Sequence, residues 1–403
     1  NFFINVLIIF VFYRLYNKQN NYVNLTEVIM DISVTREEML KTMARVQGII
    51  ERKSNMPILS TVLLNASGEK ASISATDLEL GFRETISARV NEEGSITLPG
   101  RKFFEILKET KKDEINLKEI ENRRVIISDG MARFDLAFHS PEDYPQIVEP
   151  SEIKNINVSG QLLSEMISKT IYAVSTEEAG YKLSGVFLHP SKNSQAGLPL
   201  LSMVATDGHR LSLMETFIAD IEDLNIKEGI MIPRKGMAEI GKLAAEWEFI
   251  QLGVQEKLFQ AKTKDATLVI RLLDGRFPDY RAVMPAVTET SKIEMPRSAL
   301  LEAMKRTVIL CDDRYRAVRI TLDGETMEVY STNPDLGEAK ENLKVNYTGK
   351  RLEVGFNPRY FIEALQPMIS ETVTLGFVDN TKPCIITGEA DKGFTGLIMP
   401  MRL

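Results

Sequence analysis

Apolar residues recur at three- and four-residue spacing in three segments of the chain, a pattern typical of amphipathic helices. The segments are residues 35–50, 159–174 and 296–310. They begin at Thr35, Ser159 and Pro296, residue types that are common at a helix cap or in the first helical turn. The spacing therefore predicts three helices with similar starts.

Each predicted helix is followed by a segment of alternating or β-branched residues, which predicts a strand. These segments are residues 58–65, 183–189 and 317–322. A short marker then ends a later strand in each copy, and it reads Ala75-Thr76-Asp77, Ala205-Thr206-Asp207 and Ser331-Thr332-Asn333. A second helix follows in each copy, and its entrance carries Pro99, Pro233 or Pro358. The chain therefore contains a threefold internal repeat.

The order of helix, strands, helix and strands predicts an α+β fold, with about 120 residues in each repeat, a common domain size. We place three similar domains, each of two helices packed on antiparallel sheets, at residues 30–149, 150–284 and 285–403. Residues 1–29 differ from the rest, because an apolar run with one charge, Arg14, is followed by an Asn-rich stretch.

The apolar run at the start of the chain has roughly 13 apolar residues, whereas a membrane span needs about 20. The first methionine is Met30. We interpret residues 1–29 as a non-native or disordered extension upstream of a start at Met30, and we expect no membrane association. A membrane-tethered scaffold that uses residues 1–16 is an alternative.

Composition adds few constraints. The chain is 44% hydrophobic and 26% charged, with a net charge of −7, which is ordinary for a globular protein. Its two cysteines, Cys311 and Cys384, lack paired spacing. They predict small core residues and a reducing, cytoplasmic location.

Positive charge is concentrated in the predicted helices. Six windows with 18 Lys and Arg but only 9 Asp and Glu are residues 36–53, 101–112, 161–170, 234–242, 297–306 and 358–366. The helices could be six independently solvated faces. They could also gather on one side and present a positive surface to a polyanion, whose phosphates carry no sequence information.

Asp207 and His209 invite an enzymatic interpretation as an acid and base pair. However, the chain has no nucleotide-binding, hydrolase-elbow or zinc-protease motif, and its three histidines are scattered. The equivalent positions in the other copies keep the turn and lose the histidine. We therefore expect no catalytic residues, cofactor or metal, with a hydrolase built on Asp207 and His209 as the alternative.

Five motifs carry a resemblance to a known family: ATDGHRL at 205–211, IPRKG at 232–236, LDGRFPDY at 273–280, GFN at 355–357 and MPMRL at 399–403. With these motifs, residues 30–403 resemble the bacterial DNA polymerase III beta subunit, the sliding clamp. The resemblance implies the DNA clamp fold, in which two protomers close head to tail into a ring, with helices lining the hole. It implies a DNA replication processivity factor without chemistry of its own.

The resemblance also implies partners and sites. A homodimer would encircle double-stranded DNA without sequence preference. It would tether the replicative DNA polymerase, the clamp loader and repair polymerases or ligase through short peptide motifs. The peptide groove, between the second and third domains, would comprise Leu183, Thr206, Gly208, His209, Arg210, Leu211, Pro278, Val283, Asn357, Tyr360, Leu397, Met399, Pro400, Met401, Arg402 and Leu403. Ala282 stands where well-known members carry an arginine in this groove.

The remaining implied sites are contacts with DNA and with a second protomer. DNA contacts would involve Lys53, Tyr181 and Lys182, where the family has an arginine and two tyrosines. At the dimer interface, Phe134 and Leu136 would face Ile309 and Leu310. Around this apolar centre, ion pairs would join Arg124 and Arg133 to Glu338 and Glu341.

Overall fold

A computed structural model describes residues 30–51, 55–150, 153–175, 183–192, 197–284, 291–311 and 317–402. The described residues form two compact units, one that ends at Ile147 and one that begins at Val148. The predicted extension at residues 1–29 lies outside the described residues. Among the residues that are described, no helix is both long and apolar enough to cross a membrane.

The first unit contains two helices that pack together, α1 (Arg36–Val46) and α2 (Gly100–Glu109). Its strands are β1 (Asp31–Thr35), β2 (Thr61–Ser67), β3 (Lys70–Thr76), β4 (Leu80–Glu92), β5 (Gly94–Pro99), β6 (Glu114–Ile120), β7 (Arg124–Ser128) and β8 (Arg133–Ala137). They pair antiparallel in the order β8-β7-β6-β1-β4-β3-β2-β5, so β8 lies at an edge. Buried apolar residues such as Met39, Met43 and Phe103 lie on the helices.

The second unit begins with a copy of the same arrangement. Its helices are α3 (Gly160–Ser168) and α4 (Arg234–Glu246). Its strands are β9 (Asn155–Ser159), β10 (Gly185–Lys192), β11 (Pro199–Thr206), β12 (Arg210–Phe217), β13 (Ile230–Pro233), β14 (Phe249–Gln255), β15 (Leu258–Lys262) and β16 (Ala266–Arg271). Gly160 lets the two helices approach closely, because a Cβ there would lie 1.9 Å from the Trp247 carbonyl oxygen.

The third copy completes this unit with helices α5 (Arg297–Thr307) and α6 (Pro358–Leu365). Its strands are β17 (Ser291–Pro296), β18 (Val318–Asp323), β19 (Thr326–Asn333), β20 (Gly337–Lys344), β21 (Leu352–Phe356), β22 (Thr372–Phe377), β23 (Cys384–Gly388) and β24 (Phe394–Ile398). One sheet, β13-β10-β11-β12-β24-β23-β22-β17, joins the second copy to the third through β12 and β24. A separate sheet has the order β20-β19-β18-β21, with β20 at its edge.

A long-range hydrogen bond repeats in all three copies. The first N–H group of the first helix has no partner within its helix, and a carbonyl that follows the second helix satisfies it. The donor and acceptor pairs are Arg36 and Asp113 at 2.7 Å, Gly160 and Glu248 at 2.8 Å, and Arg297 and Glu371 at 2.8 Å. The predicted threefold repeat and the α+β class are therefore confirmed.

The predicted boundaries were less accurate than the elements. The first helix of each copy ends at Val46, Ser168 or Thr307, several residues before its predicted end. Thr170 and Thr307 donate their hydroxyls to carbonyls of the preceding turn, and tighter 3₁₀ turns follow both residues. Thr35 and Ser159 do stand at N-cap positions, although neither makes a side-chain capping bond.

The predicted strand at residues 58–65 was wrong in its first half. Pro57–Ser60 forms a 3₁₀ helix, and the strand begins only at Thr61. Pro57 stands at the first position of this turn, where its fixed φ is compatible with a helix and its missing N–H costs nothing. The alternating side chains nearby resembled a longer strand, but the proline delays its start.

Candidate functional site

The segment 205–211 ends one strand and begins the next through a tight turn. The Asp207 carboxylate accepts the backbone N–H groups of His209 at 2.9 Å and Arg210 at 3.0 Å. Gly208 has a φ of +89°, a conformation that favours glycine. The Thr206 hydroxyl donates to the Arg210 carbonyl at 2.6 Å. The turn thus depends on the side chains of Thr206 and Asp207.

The other two copies use the same turn chemistry. Asp77 accepts the N–H groups of Glu79 and Leu80, and Asn333 accepts those of Asp335 and Leu336, at distances of 2.6–3.2 Å. An Asp or Asn that closes its own turn is a common structural device. In the middle copy the second Asp207 oxygen also accepts from the Arg210 guanidinium, at 3.0 Å. These bonds assign the Asp207 carboxylate to the turn.

The end of the chain lies beside this turn. β12 pairs with β24, which places Arg210 opposite Ile398 and Leu211 opposite Leu397. Beyond β24, the Met399 N–H donates to the His209 carbonyl at 2.8 Å. The Met401 N–H donates to the Gly355 carbonyl at the end of β21, also at 2.8 Å. Two predicted groove segments, 206–211 and 397–402, are therefore adjacent in the structure.

An apolar cluster forms the floor between these segments. Its buried members are Val204, Leu211, Leu213, Met231, Phe277, Tyr280, Ile385 and Leu397. Half-buried residues packed against them are Leu183, Phe187, Leu273 and Met284. Phe187 and Phe277 stack with ring centroids 4.9 Å apart. Pro278 and Val283 are exposed at one side, and 49% of Val283 is accessible.

The outer groove residues differ in accessibility. His209 and Arg402 are exposed, whereas Tyr360, Met399, Pro400 and Met401 are half-buried. Asn357 is buried, and its side chain accepts the Arg359 N–H at 3.0 Å and caps α6. Leu403, Lys53, Tyr181 and Lys182 lie outside the described residues, so the DNA-binding set and the last groove residue stay predictions.

A buried His189–Tyr280 pair lies beside the apolar cluster that forms the groove floor. The Nδ1 atom of His189 lies 3.0 Å from the Pro190 carbonyl, which can only accept, so Nδ1 carries the proton. The Nε2 atom therefore accepts from the Tyr280 hydroxyl at 2.9 Å. Burial lowers the pKa of His189 and raises the pKa of Tyr280. An open cavity of about 860 Å³ adjoins this pair and the exposed Pro278.

Arg210 was predicted as a groove residue, but its guanidinium is mostly occupied within the chain. It donates to Asp207, to Glu363 on α6 and, at 2.6 Å, to the Tyr172 carbonyl. The guanidinium carbon also lies 4.6 Å from the centroid of the Tyr360 ring and 5.4 Å from that of Tyr172. Only 10% of the side chain is exposed. Arg210 therefore holds the groove walls together.

The partners of Arg210 and a second ionic cluster were not predicted from the sequence. The Lys169 ammonium lies 2.6 Å from Asp391 and 2.5 Å from Glu165, and neither Lys169 nor Asp391 exposes its side chain. The sequence places Lys169 among the cations of the predicted helix at residues 161–170. One signal was present, because Lys169 lies three residues after Met166, on the apolar face of its helix.

Part of the positive charge of the helices is used in contacts within the chain. Arg36 and Arg297 donate to carbonyls near the ends of α2 and α6, and Arg45 forms an ion pair with Glu84. Other cations are exposed on the helices, namely Lys41, Lys102, Lys108, Arg234, Lys235, Lys242, Lys305, Arg306 and Arg359. The excess available to an anionic partner is thus smaller than the sequence count suggests.

The predicted dimer residues lie mainly on or beside exposed sheet edges. Phe134 and Leu136 are half-buried on β8, where they alternate with the exposed Arg133. Glu338 and Glu341 lie on β20. Within the chain, Arg124 pairs with Asp135 at 2.8 Å, and Glu341 pairs with Arg306 at 2.6 Å.

Ile309, in the 3₁₀ turn Val308–Leu310, exposes 71% of its surface, and Leu310 is half-buried. A dimer would cover these apolar groups. Within the described ranges, no group of three or more His, Cys, Asp or Glu residues could hold a metal ion.

Three family models match consecutive parts of the chain. The DNA polymerase III beta subunit N-terminal domain matches residues 30–148, its central domain matches 157–279, and its C-terminal domain matches 281–402. Together they cover most of the chain.

Known relatives agree with these matches. The beta sliding clamp of Pseudomonas putida is 31% identical over 376 residues, which cover 93% of this chain and 100% of the relative. The clamp of Haemophilus influenzae is 31% identical over 378 residues, with the same coverage. Among solved structures, the Caulobacter crescentus beta sliding clamp superimposes with a TM-score of 0.87 at 29% identity, covering 93% of this chain and 99% of that one.

A sliding clamp from Bartonella birtlesii, solved bound to griselimycin, also has a TM-score of 0.87 at 29% identity. It covers 93% of this chain, and 100% of its own length is matched. The predicted clamp fold is therefore confirmed by structures of the same architecture.

Proposed function

Because this chain belongs to the DNA polymerase III beta subunit family, the beta sliding clamps, we propose that it is a ring-shaped processivity factor for DNA replication. The observation that carries this proposal is the full-length match to clamps, combined with the threefold repeat of helix pairs on sheets. The protein would act in the cytoplasm and would have no enzymatic activity of its own.

In this proposal the working form is a homodimer of three-domain protomers. The edge strand β8 of one protomer faces the edge strand β20 of the other, and the contact closes into a ring by rotation. An exposed edge strand readily pairs with another chain, so closure also protects both edges. Phe134 and Leu136 would pack on Ile309 and Leu310, with Arg124, Arg133, Glu338 and Glu341 around them.

The exposed helix cations would line the hole and meet the phosphates of double-stranded DNA. Contacts of this kind are independent of sequence and weaken with salt. They would therefore keep the ring mobile along the duplex. Lys53, Tyr181 and Lys182 would add further contacts of the same type.

The groove would capture short peptide segments of the replicative polymerase, the clamp loader and repair polymerases or ligase. Its floor of Leu, Val, Met and aromatic side chains suits a peptide with two apolar anchors, each worth about 1.5–3 kcal/mol when buried. Association costs consume much of this energy. We expect micromolar-class binding, about −8 kcal/mol, which is weak enough for partners to exchange.

Retention on DNA of different topology tests the ring. The full-length protein is loaded onto nicked circular DNA, the free protein is removed, and half of the sample is linearised. We expect retention on the circle and loss from the linear ends at the same ionic strength. Equal retention on both forms would contradict encirclement.

Griselimycin provides a direct test of the groove, since a related clamp binds it. Val283→Glu places a charge at the exposed groove lip, and we expect it to raise the Kd for griselimycin by about tenfold or more. Val148→Glu is the matched control, because Val148 is likewise an exposed valine, with 68% of its surface accessible. Equal affinity of Val283→Glu and the wild type would place the compound elsewhere.

A further inference from the structure

Lys169 is the only fully buried residue among the lysines and arginines that the structure describes. It follows α3, and its ammonium contacts Asp391 at 2.6 Å and Glu165 at 2.5 Å. Burying two charges is costly, and a buried ion pair often adds little to stability compared with apolar residues of similar size. The presence of this pair is therefore weak evidence for a role in stability.

Asp391 is held from several sides. Its carboxylate accepts the backbone N–H groups of Ile369 and Ser370, each at 3.0 Å, and the Ser370 hydroxyl at 2.5 Å. Its own carbonyl accepts the N–H of Phe394, the first residue of β24, at 3.1 Å. The position of Asp391 thus determines where β24 begins.

The connection into β24 also lies tightly against β12. The Gly393 carbonyl accepts the Glu215 N–H at 3.0 Å. Gly393 has a φ of +83°, and a Cβ there would lie 2.0 Å from the Glu215 carbonyl oxygen. Only glycine permits this approach, so the connection follows one path across β12.

The turn after α3 binds β12 at the same time. The Lys169 carbonyl accepts the buried Ser212 hydroxyl, which also lies 3.2 Å from the Tyr172 hydroxyl. The Tyr172 carbonyl accepts the Arg210 guanidinium at 2.6 Å. Residues 169–172 therefore hold β12 through hydrogen bonds and β24 through the Lys169–Asp391 pair.

We infer that the Lys169–Asp391 pair is a positioning device for β24 and for residues 399–402, which continue from it. It fixes these residues relative to β12 and to the turn at 206–211, and so sets the width of the groove. Lys169 and Asp391 are positioning residues, since neither is exposed to a ligand. The effect on ligand affinity rests on the proposed function of the groove.

Backbone hydrogen exchange tests the positioning without any ligand. In Lys169→Met we expect faster exchange at the Phe394, Met399 and Met401 amides, whose acceptors are Asp391, His209 and Gly355. Asp391→Asn, which removes the other charge with little change of shape, should act in the same way. Lys154→Met is the control, because it breaks the exposed pair with Asp223 and should leave exchange in residues 394–402 unchanged.

Affinity for griselimycin tests the consequence at the groove. We measure the Kd at a temperature where thermal melts show every variant to be folded, because a role in stability alone would then leave the Kd unchanged. Each single variant should weaken binding about tenfold, and the Lys169→Met/Asp391→Asn double variant should be no weaker than the single ones. Lys154→Met should bind like the wild type.

The outcomes separate the two proposals. A wild type that does not bind griselimycin, together with faster exchange in the variants, would contradict the groove and support the positioning device. Variants that exchange and bind like the wild type would overturn the positioning device and leave the groove intact. If Lys169→Met does not fold, Asp391→Asn provides the same comparison.

Discussion

At the scale of single residues, the three copies form the same turn with different side chains at its second position. Asp77, Asp207 and Asn333 close the turn in the same way, but the next position is Leu78, Gly208 or Pro334. Leu78 has a φ of +76° and is 55% exposed, so it bears conformational strain without much packing in return. Comparison of the three copies therefore predicts how substitutions at this position change stability.

Leu78→Gly should stabilise the protein. It removes a leucine from a left-handed conformation that costs about 1–2 kcal/mol. Part of this gain is lost, because glycine gives the unfolded chain more conformational entropy, which costs about 0.5–1 kcal/mol on folding. We expect a net gain of about 0.5–1 kcal/mol in the free energy of unfolding, measured with urea. The reciprocal change, Gly208→Ala, should lose about 1 kcal/mol, although a Cβ there meets no atom within 4 Å. A neutral Gly208→Ala would show that the turn tolerates a side chain.

His189 should make stability depend on pH. Its pKa in the folded protein lies below the ordinary value of 6.5, because burial disfavours the charged ring. As the pH falls, the unfolded chain therefore binds the proton before the folded protein does. The contribution of the neutral His189 ring to stability is present above about pH 6.5 and is lost as the pH falls through the folded pKa. Urea denaturation of the wild type should show this decline. It should be smaller in His189→Gln, and unchanged in the exposed control His209→Gln.

At the scale of elements, the features that could be predicted from the sequence were those that depend on residues close together in the chain. The helix entrances at Pro99, Pro233 and Pro358 and the turn-closing Asp and Asn residues act within a few positions, so the sequence indicated them directly. The roles of Lys169 and Arg210 could not be predicted, because each also binds a partner that is remote in the sequence. Arg210 binds Glu363, 153 positions away, and nothing near Lys169 in the sequence reveals Asp391. Their roles become visible only when β12 and β24 are paired.

The pairing of β12 with β24 predicts the effect of shortening the chain. Deleting residues 399–403 removes the backbone bonds at Met399 and Met401 and one wall of the groove, but leaves β24 intact. Griselimycin binding and stimulation of a bacterial replicative polymerase should both be lost, while sedimentation still shows a dimer. A monomeric product would mean that the tail belongs to the interface between protomers.

At the scale of the whole molecule, two of the edge strands, β8 and β20, carry predicted interface residues. β8 and β20 belong to different units of the chain, and in the described single chain each is the last strand of its sheet. Self-complementary contact of one edge with itself would give an open dimer. In the proposed ring, β8 of each protomer contacts β20 of the other, so two equivalent contacts join the same two chains and close a ring of two.

Substitutions at Ile309 and Arg133 test whether apolar burial or ion pairs hold the proposed ring together. It exposes 71% of its surface in a single chain, and the apolar centre of the proposed interface requires it to be buried. Ile309→Asp should therefore convert the dimer to monomer in sedimentation at micromolar concentration and abolish retention on circular DNA. Arg133→Glu alters only a rim charge and should cost at most about 1 kcal/mol of dimer stability, decreasing with salt. Phe217→Asp, at another exposed apolar site, is the control. If Arg133→Glu dissociated the dimer more than Ile309→Asp, ion pairs rather than apolar burial would hold the ring closed.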